Sequence, residues 1–393
     1  MQVLAWLLVG YSDGVISNLM EETQINGYLV FLIPVVALYL AGLFVTHRLR
    51  VSERLIKRQL LIAALFVFTG LVQAIIIGSF HIYGFVQLFA MVALILLFTD
   101  LFAENGDLLR PGFAKAMAWV NWIICSYIVL AWFAMRLWEV DISLFISDVA
   151  ELGESAASRT SGLHREPAWV AYAVATSYLA VHFTREKGLL PFQIAFLAAV
   201  TAAAAGSGLV IAAVFIGHQL VTTRNVSPTV KAGLIAGFAL MSVIVFGGRI
   251  AEVLDNSDPS TRMRTESAIV ALEVIEQTFP IGTGYGNYRD IADFDEDLWR
   301  GFIDLQEAEF YKSDILILNL VAELGIVGCL LVVLLFRNFR VRGSFLILAV
   351  AAVMMLTAGT LVMPFYLVLA ATAGLEISRR RAPRARVPAF AVP

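Results

Sequence analysis

The sequence predicts an all-α integral membrane protein with eleven or twelve transmembrane helices and two long loops on the outer face. Three observations carry that prediction: the composition, the all-round apolarity of runs long enough to span a bilayer, and the sorting of basic residues by loop. Of the 393 residues, 60% are hydrophobic and 15% charged. Soluble globular chains hold roughly half and about a quarter respectively. So little polar surface cannot coat a water-soluble particle of this size. Barrel strands would alternate apolar and polar residues, whereas these runs are apolar on every face, so helices are expected.

In chain order the expected spans lie at 27–46, 59–78, 82–102, 116–138, 168–184, 189–205, 207–221, 230–248, 314–336, 343–360 and 362–378. A bilayer core asks for about 20 apolar residues per helix. Residues 1–19 are a weaker twelfth span, because they lack the basic start and small-residue cleavage site of a signal peptide. The pair flanking Gly206–Gly208 is short, so a single re-entrant hairpin is the alternative there. Cys125 and Cys329 both fall in apolar runs and read as core side chains, not as a disulfide or metal ligands.

The basic residues then sort by side. Residues 47–58 carry Arg48, Arg50, Arg54, Lys57 and Arg58 against the single acid Glu53. Alternate loops follow with Arg110 and Lys115, Arg185 and Lys187, Arg224 and Lys231, and Arg337, Arg340 and Arg342. The tail adds Arg379, Arg380, Arg381, Arg384 and Arg386. Together these segments hold 19 of the 28 basic residues. The positive-inside rule makes their side cytoplasmic, with both termini inside. The organisation is therefore N-terminal helices over 1–138, a loop over 139–167, central helices over 168–248, a large loop over 249–313, C-terminal helices over 314–378 and a basic tail over 379–393.

Both outer loops are acidic: six carboxylates against two arginines in the first, and fourteen against five arginines and one lysine in the second. Any chemistry is expected in these loops and the span ends beneath them. The first closes with Arg159-Thr-Ser-Gly162-Leu-His164-Arg165-Glu166-Pro167, where Pro167 suits the first turn of the next helix. The second opens with Arg262 and Arg264, then an apolar stripe at Ile269, Leu272, Ile275 and Phe279 with helical spacing. That helix is expected to stop at Pro280 and Gly282. It would lie on the outer membrane surface or against the bundle.

The turn Gly282-Thr-Gly284-Tyr285-Gly286-Asn287-Tyr288 lacks the strand context of a dinucleotide fingerprint and the fourfold pore of a potassium filter. Its glycines would let backbone amides approach an anion or a sugar. Tyr285, Tyr288, Phe294, Trp299, Phe302, Phe310 and Tyr311 mix with carboxylates such as Glu309. Such a mixture suits a pyranose ring, and an interfacial aromatic belt equally well. Beyond the loop, Ser313-Asp314 leads into the span carrying Glu323, a mid-span carboxylate with a functional or bundle-facing role. No cluster has metal-ligand spacing, no cofactor is expected, and nothing points to nucleic acid.

Three of these segments together resemble the Wzy-type polysaccharide polymerases and O-antigen ligases. They are Arg159-x-x-Gly162-x-x-x-Glu166-Pro167, the arginine-bearing helix running into Pro280-x-Gly282-x-Gly284-x-Gly286-Asn287, and Ser313-Asp314 followed by Ala322-Glu323-Leu324-Gly325-Ile326-x-Gly328. The resemblance implies a metal-independent membrane glycosyltransferase of the helical GT-C type, acting at the periplasmic face. Its implied partners are undecaprenyl-diphosphate-linked oligosaccharide and membrane lipid, with a chain-length-determining protein as a further one. Arg159, Glu166, Arg264 and Asp314 become the implied catalytic residues. Arg165, Arg262, Gly284, Gly286, Tyr285, Tyr288 and Glu309 become the substrate-binding ones.

The chain departs from the family twice. Ligases usually have His-Asn where this chain has Asp314-Ile315, which favours a polymerase and leaves the usual base missing. Many members also have an arginine where Gly208 stands. Guanidinium forks bind diphosphate oxygens in pairs and stabilise charge developing on them, so the arginines fit the chemistry independently of the resemblance. The alternatives are a ligase and a transporter or flippase of lipid-linked glycan. Transporters tend to show internal repeats and several mid-membrane charges, which this chain lacks.

Overall fold

A computed structural model of the chain describes residues 33–47, 49–78, 80–140, 142, 167–185, 187–203, 205–222, 227–229, 232–233, 236, 259–288, 315–341, 344–358, 361 and 363–381. The expected spans at 1–19 and 230–248 lie outside or almost outside these residues. Among the described residues there are helices and no strand. The helices are α1 (Ile33–His47), α2 (Glu53–Val72, continued by a π turn Gln73–Ile77), α3 (Ile82–Glu104), α4 (Gly106–Trp138), α5 (Pro167–Thr184) and α6 (Leu190–Ala203). They continue as α7 (Gly206–Thr222), α8 (Pro259–Thr278), α9 (Leu316–Leu324), α10 (Ile326–Phe339), α11 (Phe345–Thr357) and α12 (Met363–Arg381). Among the described residues, three stretches are long and apolar enough to cross a membrane: Glu53–Ile77, Ile82–Glu104 and Gly106–Trp138.

Local chemistry sets several boundaries. Ser52 caps α2 by accepting the Leu55 amide at 3.2 Å, and its own amide is held by Glu104 at 2.9 Å. His81 caps α3 through Nδ1, which accepts the Gly84 amide at 3.2 Å. Such caps satisfy amides that a helix start leaves without an intrahelical partner. α4 begins ten residues before the expected span, taking Arg110, Pro111 and Lys115 into its first turns. α12 likewise runs on through Arg381, because Arg379 and Arg380 fold back onto Glu376, each at 2.8 Å.

The centre of the bundle is α12. Its residues from Phe365 to Glu376 are all buried, and it packs most extensively along α3 and then against α5. Gly374 makes that approach possible: a Cβ there would lie 2.7 Å from the Cβ of Phe102. Small residues at helix crossings let apolar helices pack backbone to backbone. The periphery has the opposite character. Leu60, Phe68, Leu71 and Ile75 of α2 are exposed, as are Leu197 and Val210 of α6 and α7. Apolar side chains on the outside of a bundle are solvated by lipid.

Two differences from the expected spans bear on function. The span expected at 314–336 is two helices, α9 and α10, broken at Gly325 with φ 56°. The segments around Gly206–Gly208 form two short helices, of which α6 rises only about 21 Å at 1.5 Å per residue, too short to cross a bilayer core unaided.

Polar ties fasten the helix ends on the side carrying the basic loops. Arg58 pairs with Asp100 at 2.7 Å and donates to Asn338 Oδ1 at 2.9 Å. Asn338 in turn donates to Thr99 at 2.8 Å, joining α2, α3 and α10. Asn105, between α3 and α4, accepts the Arg50 amide at 2.8 Å.

Candidate functional site

The glycine turn after α8 sits in a cleft of protein. On one side lies the break between α9 and α10, and on the other lie the π turn of α2 and the start of α3. Pro280 follows a cis peptide bond. The Pro280 carbonyl accepts the Ile326 amide at 2.9 Å, which caps α10 from outside its own chain segment. The Thr283 and Gly284 amides donate to the carbonyls of Ala322 and Glu323 at 2.9 and 3.1 Å. These are carbonyls that the end of α9 leaves without helical partners.

The amides of Tyr285, Gly286 and Asn287 are also engaged. Gly286 donates to the Glu323 carboxylate at 3.3 Å, and Tyr285 to the Gln73 side-chain oxygen at 3.3 Å. The Tyr285 carbonyl receives the His81 amide at 2.7 Å, and the Asn287 amide closes onto Gly284 at 3.0 Å. Gln73 bridges both partners, since its amide nitrogen donates to the Glu323 carbonyl at 3.2 Å. The turn is therefore a latch between three helix ends. Its amides, expected to face a ligand, are spent on the protein itself.

Glu323 is buried and faces the bundle interior, at the last turn of α9. Tyr288 is buried too, within a small cluster of Val270, Ala271 and Val274 from α8 and Ala322 from α9. Among the described residues its hydroxyl has no hydrogen-bond partner. Burial, and secondarily the Glu323 charge, push both the Tyr288 and Tyr285 phenols above their ordinary range. Tyr288 thus has no open face for a sugar ring. Tyr285 is half-buried and lies edge-on to Phe85, with ring centroids 6.3 Å apart.

The helix expected before the turn is present as α8, ending at Thr278. Its packed face differs from the expected stripe. Val270, Ala271 and Val274 are buried with Ile275 beside them, whereas Ile269, Leu272 and Phe279 are exposed. The helix is apolar on two sides: one face meets α9, and the other is exposed. Arg262 and Arg264 lie on its first turns, with their side chains outside the described residues. At 1.5 Å per residue, Arg264 stands roughly 21 Å along the axis from Thr278. The arginines and the latch are thus opposite ends of one rigid element and do not share a single contact patch.

Arg159, Arg165, Glu166, Glu309 and Asp314 lie outside the described residues. Among the described residues no group of His, Cys, Asp and Glu is placed to hold a metal ion. Two participants in the latch escaped the sequence reading: Gln73 and His81. The available signal was the amide side chain of Gln73 deep inside the apolar run 59–78, because a buried Gln requires partners.

The O-antigen ligase family model matches residues 165–333, less than half of the chain. The matched segment runs from Arg165 through α8, the latch, the Gly325 break and into α10, with Arg159 just ahead of it. The resemblance expected from the motifs is thereby shown for this segment, and it supports a glycan-processing function in a bacterial membrane. No curated protein matches the sequence.

Proposed function

We propose that the protein is a polysaccharide polymerase that transfers an undecaprenyl-diphosphate-linked glycan onto another lipid-linked repeat unit at the periplasmic face of the inner membrane. The observation that carries this reading is the segment matched to O-antigen ligases, with arginines at both of its outer-loop elements and Asp314-Ile315 where ligases have His-Asn.

In the proposed reaction the bond between the anomeric carbon and the diphosphate oxygen breaks, and the acceptor hydroxyl oxygen bonds to that carbon. Arg159 and Arg264 stabilise the negative charge growing on the leaving diphosphate, with Arg165 and Arg262 holding the donor. The acceptor proton goes to a carboxylate, with Glu166, Asp314 and Glu309 as the candidates. Guanidinium groups supply the positive charge that a metal ion gives other diphosphate-cleaving sites, so the reaction is metal-independent in this proposal. The latch supports this chemistry from a distance, by fixing where α8 leaves the bundle and hence where its arginine-bearing end points.

A ligase is the second reading, favoured by the family that the segment matches. One experiment separates them. Purified protein is incubated with a defined undecaprenyl-diphosphate oligosaccharide, and products are resolved by size. A ladder of lengthened lipid-linked glycans supports the polymerase. Transfer only when lipid A is added supports the ligase. No transfer to either acceptor overturns both.

A further inference from the structure

A second site lies on the other face of the molecule, among the basic loops. α4 presents Pro111, Lys115, Trp119 and Trp122 at helical spacing, which sets them in one stripe along that helix. Facing the stripe, between α5 and α6, is Arg185, whose guanidinium lies 5.0 Å over the Phe192 ring. Phe192 in turn packs against Trp122 with centroids 5.3 Å apart. Together they line an open groove of about 580 Å³.

The chemistry of this groove is specific. Its described lining contains two cations and no carboxylate. Lys115 and Arg185 are both exposed, and Trp119 remains 56% exposed although it sits on an apolar helix. An indole with one wet edge marks the level of lipid headgroups, and a lysine or arginine beside it snorkels to the same level. Arg185 also lies over the Phe192 ring as a cation–π pair, and both line the groove. The apolar floor of aromatic rings continues below the two charges, as a ligand with an anionic head and an acyl stem requires.

We propose that this groove binds the headgroup of an anionic phospholipid from the leaflet on the basic-loop side, with its acyl chain laid along Trp122 and Phe192. The site is separate from the outer-loop chemistry and does not depend on which glycan transfer the protein performs.

Native mass spectrometry of the full chain, released from detergent, tests it with three probes: a phosphatidylglycerol, a phosphatidylcholine and inorganic phosphate. Phosphatidylglycerol is expected to stay bound while phosphatidylcholine does not. The double variant Lys115→Gln/Arg185→Gln should bind phosphatidylglycerol about tenfold or more weakly, the scale on which two surface cations attract an anionic lipid. Ala114→Trp, which fills the groove without changing charge, should do the same. Arg54→Gln/Lys57→Gln, a basic pair elsewhere on that side, should leave binding unchanged. Equal loss from both charge pairs would reduce the effect to general surface charge and overturn the proposal. So would equal retention of the two lipids, or displacement of phosphatidylglycerol by equimolar inorganic phosphate. Matching melting temperatures among the variants guard against misfolding as the cause of any loss.

Discussion

Gly282 stands so close to Gly325 that a methyl group on the first would lie 2.6 Å from the amide nitrogen of the second. Both have positive φ, 86° and 56°. Two chain segments far apart in sequence thus meet backbone to backbone, and each meets the other where only hydrogen fits. This pairing locks the loop after α8 into the broken span.

Alanine at either position should therefore cost stability, not merely activity. Backbone strain at positive φ and the collision with opposing main chain together should lower stability by about 3 kcal/mol or more. Thermal melting in detergent and the amount of protein recovered from membranes measure this. Parent-like melting of both Gly282→Ala and Gly325→Ala would show that the latch is not structural.

Glu323 is expected to act through its oxygens as acceptors. Glu323→Gln keeps an acceptor for the Gly286 amide and should melt within about 1 kcal/mol of the parent. Glu323→Leu strands that half-buried amide and should lose about 1 kcal/mol or more. Product formation by the Gln variant near the parent rate would agree with a positioning role. Loss of product with unchanged melting would instead assign the negative charge to the chemistry.

Asp100 is 7% exposed and Arg58 23%, so their ion pair is largely removed from water. Arg58→Ala should destabilise by about 2 kcal/mol or more, because the Asp100 charge is left without its cation. Arg58→Met/Asp100→Leu should recover most of that loss. A double-mutant cycle by thermal melting reads the coupling, and additive losses would contradict it.

At the proposed catalytic arginines the pattern should be reversed. Arg159→Ala and Arg264→Ala should lower product by about 10²-fold or more while the protein accumulates and melts normally. Arg264→Lys should recover little, since an ammonium cannot bind two diphosphate oxygens as a planar fork does. Chelation with EDTA should leave the parent reaction unchanged. Normal product length in either alanine variant would remove that arginine from the site.

Much of the architecture was legible because membrane helices are written in hydropathy. The spans expected at 82–102, 168–184 and 343–360 lie within a few residues of α3, α5 and α11. The break at Gly325 was not legible, because its causes are the Pro280 carbonyl and the turn packed against it, not the local apolar run. The packed face of α8 was missed for a related reason. A helix with exposed apolar residues on one side and α9 on the other is apolar on both, and periodicity alone does not distinguish them. The same holds for Gln73, whose two partners lie more than 200 residues away.

By itself, the amino-acid order carried the apolar, helical character of a membrane protein; it also supplies, as proposals, the sidedness of the loops under the charge rule and the arginines of the proposed reaction. Those properties are sums over local side chains, so they survive without knowledge of neighbours. The tertiary structure alone decided that the amides of the glycine turn bond to neighbouring helix ends, that α12 lies at the centre of the bundle, and that a cationic groove flanks Trp122. Hydrogen-bond partners and close approaches depend on which distant backbone arrives at a given point, and only packing settles that.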